Sequence, residues 1–266
     1  MKVVLITGGS SGIGKSIGEF LHQKGYIVYG TSRNPEKVQK SIFPIVALDV
    51  RDVSTIQKAV ALVIRNEKRL DILINNAGVG ITGPLEEIPM EEIKNNFETN
   101  FFGPIEVMKA VLPQMRAQKS GLIINITSIA GYMGLPYRSI YSASKGALEI
   151  ITEALRMETK SFGIQITNVA PGDFATNIAA GRFHAPVISG SDYEFAYGQV
   201  LKSMNEHVDS GSDPNEMAEA IYKIIQTPNP KIHYKVGFFM QKFSIVLKRI
   251  LPDKVYEKML MNHYKL

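Results

Sequence analysis

The sequence predicts an α/β protein: a doubly wound parallel sheet of about seven strands with helices on both faces, folded as a single domain over residues 1–266. Three observations predict it. Short β-branched and aliphatic runs alternate with longer segments of helical periodicity, the pattern of successive β-α units. The short runs are apolar nearly throughout, as strands are when helices cover both faces of a parallel sheet. No Pro/Gly/Ser-rich linker or charge run divides the 266 residues, and that length suffices for one large core.

The first strand is read at 3–7, a short apolar run ending in Gly8-Gly9-Ser10-Ser11-Gly12 and too brief for the core of a secretory signal. A helix follows at about 13–24, then strands at 26–31 and 45–48, a helix at 52–66 and a strand at 71–75. The helical stretch 91–118 reads as two helices meeting near Gly103-Pro104, because Pro104 suits a first turn where the missing N–H costs little. A strand at 121–126, a helix at 139–162 and a strand at 164–170 continue the rhythm. It then changes. Residues 173–212 are rich in Gly, Ser, Phe, Tyr and Met with weak periodicity, and long irregular segments often carry function, so this is read as a substrate loop. Phe174, Phe183, Tyr193, Phe195, Tyr197 and Met204 are candidates to line an apolar pocket there or to pack the loop itself; Met133 and Tyr137 are better placed. Asp213-Pro214 reads as N-cap and first position of a further helix. A last strand at 233–237 precedes a basic, apolar C-terminal helical tail, 238–266.

Composition excludes several function classes. The absence of cysteine removes disulfides and thiolate metal sites and fits a reducing, cytoplasmic location. No stretch approaches the ~20 apolar residues of a membrane-spanning helix; 238–251 is interrupted by Gln241, Lys242, Lys248 and Arg249. From Lys231 onward eight Lys/Arg face two acids, so the formal +5 belongs to the tail. Basic and aromatic residues show no nucleic-acid-binding spacing, and His184 and His207 show no metal-ligand spacing, so neither partner is expected. The tail itself is read as a helix packed on its own domain or a partner subunit, with contact to an acidic lipid surface as the alternative.

The residues with chemical meaning fall at the carboxyl ends of the predicted strands, where ligands bind in such sheets. Gly8, Ser10, Ser11, Gly12, Ile13 and Gly14 join the first strand to the first helix. Glycines there permit a tight turn and close backbone approach to a pyrophosphate, which the N–H groups of the helix start can bind. The spacing is not G-x-G-x-x-G, so the turn alone is a weak signal. The second strand leads to Arg33 with no acid, where a site for NAD(H) usually has one; Arg33 is either a forked donor for a 2′-phosphate or a solvated surface residue. NADP(H) is therefore expected over NAD(H). Asp49 and Val50 follow the third strand, Asp49 as acceptor for an adenine amino group or as a helix cap. Asn75, Asn76, Ala77 and Gly78 follow the fourth, as a cofactor-facing turn or a structural one.

Tyr141 and Lys145, four apart at a predicted helix start, share a face. A tyrosine of ordinary pKa, ~10, is a poor general base, and a neighbouring ammonium favours its phenolate. Ser128, at the end of the fifth strand, is placed to hold a substrate oxygen. Asn100 is either a water anchor behind the lysine or a helix-terminal asparagine.

Together these residues, with Pro171, Gly172 and Thr176, resemble the short-chain dehydrogenase/reductase family over nearly the whole chain. The resemblance implies a Rossmann-like fold and hydride exchange between a nicotinamide cofactor and a carbonyl or alcohol carbon. It implies Tyr141 as acid/base, Lys145 as the residue that lowers its pKa and binds the nicotinamide ribose, Ser128 as carbonyl polariser and Asn100 as support for a proton relay. Pro171, Gly172, Phe174 and Thr176 would touch the nicotinamide end. The family is often dimeric or tetrameric, so a homo-oligomer is expected. Within it, residues 31–36 look like NADP-preferring members, and 213–221 with Tyr234, Val236 and Gly237 loosely resemble steroid, retinol and acyl-lipid reductases, which implies an apolar ketone, aldehyde or secondary alcohol as substrate. A redox-sensing protein that binds NADP(H) without turnover is the alternative, disfavoured because binding alone needs no pKa-tuned tyrosine. An epimerase or dehydratase would carry an acid after the second strand and a longer substrate domain.

Overall fold

The computed structural model describes residues 1–38, 40–174, 181–206 and 211–266. Its frame is a seven-stranded, wholly parallel sheet in the order β3-β2-β1-β4-β6-β7-β9. The strands are β1 (Val3–Ile6), β2 (Ile27–Ser32), β3 (Ile45–Ala47), β4 (Ile72–Asn75), β6 (Gly121–Ile126), β7 (Ile164–Pro171) and β9 (His233–Val236).

The continuous apolar runs follow from the two-sided cover. In β1, Val3 and Leu5 face one core, shared with α2 (Val53–Glu67), α4 (Gly103–Gln118) and α5 (Ser139–Thr159). Val4 and Ile6 face the other, shared with α1 (Gly12–Gln23) and α7 (Pro214–Gln226). Leu73 and Ile123 face the first core, Ile72, Ile74, Leu122 and Ile124 the second. Successive strand residues point to opposite faces, so burying both faces requires apolar residues at every position. Asp52 caps α2 by accepting from the Ser54 and Thr55 amides, where the sequence offered Asp49, and Asp213 caps α7 ahead of Pro214, as read from the sequence.

Four features differ from the sequence reading. The second of the two helices expected to meet near Gly103-Pro104 does begin there, with Pro104 in its first turn, but α3 (Met90–Phe97) leads into α4 through a π-helical turn, Glu98–Phe102, that was not expected. The segment 173–212, read as a substrate loop, contains α6 (Glu194–Glu206) and the strand β8 (Phe183–His184), which pairs with β5 (Ile81–Thr82) in a second, two-stranded sheet. Two-residue strands carry too little period to be seen in a sequence. The helix expected at 139–162 ends at Thr159 and tightens into a 3-10 turn, Lys160–Phe162. The tail is two helices, α8 (Phe239–Ile250) and α9 (Asp253–Tyr264), because Pro252 cannot continue the first and instead caps the second.

Candidate active site

A cavity of about 400 Å³ opens at the carboxyl ends of β1, β2, β3, β4, β6 and β7, across the point between β1 and β4 where the strand order reverses. Its lining includes Gly8, Ser10, Ser11, Gly12, Ile13, Arg33, Asp49, Val50, Asn76, Ala77, Gly78, Tyr141, Lys145 and Pro171 of the residues singled out above.

The glycine turn is fixed from below. Thr7 Oγ1 accepts from the amides of Asn76 (2.9 Å) and Ala77 (3.0 Å), and Asn76 Nδ2 donates to the carbonyls of Thr7 (3.0 Å) and Gly8 (3.1 Å). The turns after β1 and β4 are thereby tied together. Gly8 (φ +64°) and Gly12 (φ +51°) occupy the left-handed region. Gly14 lies behind the cavity lining: a Cβ there would stand 2.4 Å from both Gly8 O and Asn76 Nδ2, so its glycine is needed for packing. Ser11 caps α1 through its backbone alone, and the first turn carries no acid, which leaves the helix start suited to an anion.

At the β2–β3 end, Arg33 lines the cavity together with Arg51, which the sequence reading did not single out. Arg51 Nη2 lies 3.1 Å from Asp49 Oδ2, and its amide donates to Oδ1 at 2.9 Å. Burial raises the Asp49 carboxyl, but the hydrogen bonds and charge of Arg51, with a contribution from Arg33, hold it below the usual range. Asp49 does not cap α2; Asp52 does.

At the other end, the start of α5 presents Tyr141 and Lys145 to the cavity. The buried Lys145 Nζ donates to Ile126 O at 3.0 Å. Burial pushes the ammonium down to about 8, against the opposing charge of Glu149 one helical turn on. Asn100 sits in the π-helical turn, fully buried, its Oδ1 accepting from Val79 N (2.9 Å) and its Nδ2 donating to Val79 O (2.9 Å). Asn100 Oδ1 and Lys145 Nζ converge: a Cβ on Gly78 would lie 3.2 Å from the first and 3.3 Å from the second. Single π-turns of this kind often re-aim one functional side chain.

Ser128, Gly172 and Phe174 are not in the lining. Ser128 is buried next to Thr127 at the end of β6, its Oγ accepting from Ala130 N at 3.1 Å. Gly172 packs under α8: a Cβ would meet Gln241 Oε1 at 2.0 Å. Phe174, expected at the nicotinamide end, lies instead in the core with Met217 and Ala218 of α7, where its ring finds more apolar contact. Thr176 and His207 lie outside the described residues. Of the proposed pocket aromatics, Tyr197 is fully buried with its hydroxyl on Ala185 O (2.9 Å), while Phe195 is 76% exposed. Met133 packs against the tail, its Sδ accepting from Tyr256 OH at 2.7 Å.

Behind Lys145 a buried network was also not foreseen. Glu149 accepts from Thr127 Oγ1 and from Tyr132 OH (2.9 Å) and Asn168 Nδ2 (2.9 Å), and lies 2.7 Å from His233 Nδ1. Its members come from five elements, so no spacing reveals it. Among the described residues no cluster of His, Asp or Glu is arranged to hold a metal, and no helix is long and apolar enough to cross a membrane.

The model of the short chain dehydrogenase family matches residues 2–186. The chain is 40% identical to the 3-ketodihydrosphingosine reductase of Bacteroides thetaiotaomicron over 264 residues, covering 99% of this chain and 98% of that one. It is 30% identical to the NADPH-dependent 3-dehydrocapnine reductase of Ornithobacterium rhinotracheale, covering 100% and 98%. The crystal structure of a short-chain dehydrogenase from Streptomyces avermitilis superposes with a TM-score of 0.83 at 31% identity, covering 100% and 97%. Sequence match, chain coverage and sheet order agree: this chain is an oxidoreductase of the short-chain dehydrogenase/reductase family.

Proposed function

We propose that the protein is an NADP(H)-dependent carbonyl reductase, in reverse an alcohol dehydrogenase, acting on the ketone of a long-chain, lipid-like substrate. One observation carries the reading: the buried Lys145 ammonium, anchored on Ile126 O, shares a cavity with Tyr141 and with an anion-ready glycine turn.

The residues present fit a dinucleotide. Gly8, Ser10, Ser11, Gly12 and Ile13 would hold the pyrophosphate at the start of α1, Asp49 and Val50 the adenine, and Arg33 with Arg51 a 2′-phosphate. Asn76, Ala77, Gly78, Tyr141, Lys145 and Pro171 would hold the nicotinamide half. When bound, the nicotinamide supplies or accepts the hydride. Tyr141 gives its proton to the carbonyl oxygen as that oxygen gains negative charge. Lys145 stabilises the phenolate left behind, and Ser128 holds the carbonyl oxygen through its hydroxyl. Asn100, clamped on Val79, fixes the backbone around Gly78 and would support a relay behind Lys145. NADP(H) is favoured over NAD(H) by two arginines at the β2–β3 end of the cavity, where the lining acid Asp49 is paired with Arg51, and by the NADPH dependence in the name of the 30% relative. An apolar substrate is favoured by the wall beside Tyr141, built from Ile81, Ala130, Leu135, Tyr137 and Tyr197, and by the lipid ketone named for the 40% relative.

NADPH consumption against a panel of long-chain ketones, aldehydes and acyl thioesters, beside NADH and beside Tyr141→Phe, tests this. Turnover that is lost in Tyr141→Phe while NADPH still binds is the expected result. Silence of the wild type across the panel overturns it.

Two features bear on partners. The exposed faces of Ile150 and Met157 on α5, seven residues apart, favour a homo-oligomer; a monomer by light scattering would end that reading. On α8, Phe239, Phe243, Val246 and Ile250 fall in one exposed stripe opposite buried Ile245, beside Lys242 and Arg249. The stripe fits peripheral contact with an anionic lipid surface. Binding to anionic but not neutral vesicles, weakened in Phe239→Ser/Ile250→Ser, is expected; binding that is absent or unchanged by the substitutions refutes it.

A further inference from the structure

Two arginines come to the Tyr141 end of the cavity from separate parts of the chain. Arg138 stands just before α5, its guanidinium carbon 5.2 Å from the Tyr141 ring centroid. Arg182 comes from the substrate loop, immediately before β8. Its stem lies on Gly80, where an added Cβ would meet Cγ at 2.8 Å, and so it is carried over the turn that follows Gly78. Tyr264, near the end of α9, brings its hydroxyl to Arg138. The loop, the tail and the start of the catalytic helix thus meet around one tyrosine.

Neither arginine forms an ion pair among the described residues. Arg182 is half-buried; burial, and then the like charge of Arg138, depress its guanidinium below the usual range. The acid that bears on Arg182 is Asp173, whose Oδ2 already accepts from Gln241 Nε2 at 2.6 Å. Two partly desolvated cations held near each other repel, and buried charge is ordinarily paired. An oxyanion between them relieves that repulsion, and guanidinium forks match the oxygens of carboxylate, sulfonate and phosphate. The features suited to the cofactor's phosphates lie elsewhere, at the glycine turn and at Arg33 and Arg51. An anion at the Tyr141 end therefore arrives with the substrate.

We propose that Arg138 and Arg182 form the head-group site for an anionic amphiphile, whose carboxylate, sulfonate or phosphate lies a few bonds from the ketone reduced at Tyr141. This rests on the carbonyl-reductase reading and narrows its substrate class. The alkyl chain runs along the apolar cluster of Ile81, Leu135 and Tyr137 that packs on Tyr141.

Two ketones with one alkyl chain test it: 2-oxododecane-1-sulfonate and 1-hydroxydodecan-2-one, assayed with NADPH on wild type, Arg182→Gln and Arg182→Lys. The wild type favours the sulfonate over the hydroxyketone by about ten- to a hundredfold in kcat/KM, the worth of a charge-assisted hydrogen bond. That ratio falls toward one in Arg182→Gln and partly recovers in Arg182→Lys. A ratio near one in the wild type, or one untouched by Arg182→Gln, overturns the proposal while leaving carbonyl reduction intact. If neither is reduced, binding decides the site. Calorimetry on NADP-loaded protein would then show decanesulfonate binding more tightly than decanol, with the difference lost in Arg182→Gln. Equal affinity for the two would overturn the site itself.

Discussion

Lys145→Met separates the cost of the active site from its use. Met keeps a long unbranched stem and removes the ammonium. In the folded protein burial lowers the Lys145 pKa to about 8 from an ordinary 10.5. That displacement is worth about 3 kcal/mol, charged against the folded state wherever the lysine is protonated. Below pH 8 the group is protonated in both folded and unfolded chains, so the full cost applies. Between about 8 and 10.5 the folded chain releases its proton first, and above that range no cost remains. Substitution also strips Ile126 O of its 3.0 Å donor, at about 1 kcal/mol. The net expectation at pH 7 is a gain of about 2 kcal/mol, or roughly 4–8 °C in Tm for a chain of this size. The gain shrinks above pH 8 and turns into a small loss by about pH 10.5. Thermal and urea unfolding of the cofactor-free protein at both pH values measures it, and turnover falls by at least about a hundredfold in the same variant. A variant less stable than wild type at pH 7, or a difference that does not change with pH, would refute the reasoning. Either result would mean that Lys145 is stabilised where it sits rather than merely tolerated there.

Two further outcomes follow from the cavity and from the network behind it. Arg33→Ala lowers kcat/KM for NADPH about ten- to a hundredfold more than for NADH; an equal fall with both cofactors would remove Arg33 from 2′-phosphate recognition. His233 has its pKa raised, chiefly by its hydrogen bond to Glu149 and against desolvation, with the charges of Glu149 and Glu153 adding to the rise. A raised histidine contributes stability that is fully present below its unfolded pKa, ~6.5, and is lost as pH climbs through the folded value. The Tm advantage of wild type over His233→Gln is therefore largest near pH 6 and declines toward pH 9, and a difference independent of pH would show that the ion pairs contribute nothing.

Much of the site was legible in the chain because its signals are local. Gly8 and Gly12 announce themselves by the positive φ their turn requires, and Tyr141 and Lys145 share a helix face by spacing alone. The seven main strands could be read because two-sided burial forces an apolar residue at every position. Phe174 misled for the converse reason: its position in the chain put it near the nicotinamide end, while the ring's burial was decided by α7, forty residues on.

The sequence by itself determined the β-α alternation, the glycine turn, the Tyr141/Lys145 pair and the cap residue Asp213, all of which depend on neighbours within a turn or two of chain. Only the tertiary structure decided that Asn100 clamps Val79 from a π-helical turn, that Glu149 joins side chains from β7, β9 and the turn after β6, and that β5 meets β8. It alone laid the Arg182 stem on Gly80 and the Arg138 guanidinium on the Tyr141 ring. Such contacts join segments far apart in sequence, and their energy comes from burial and charge pairing in three dimensions, which leaves no period in the chain to read.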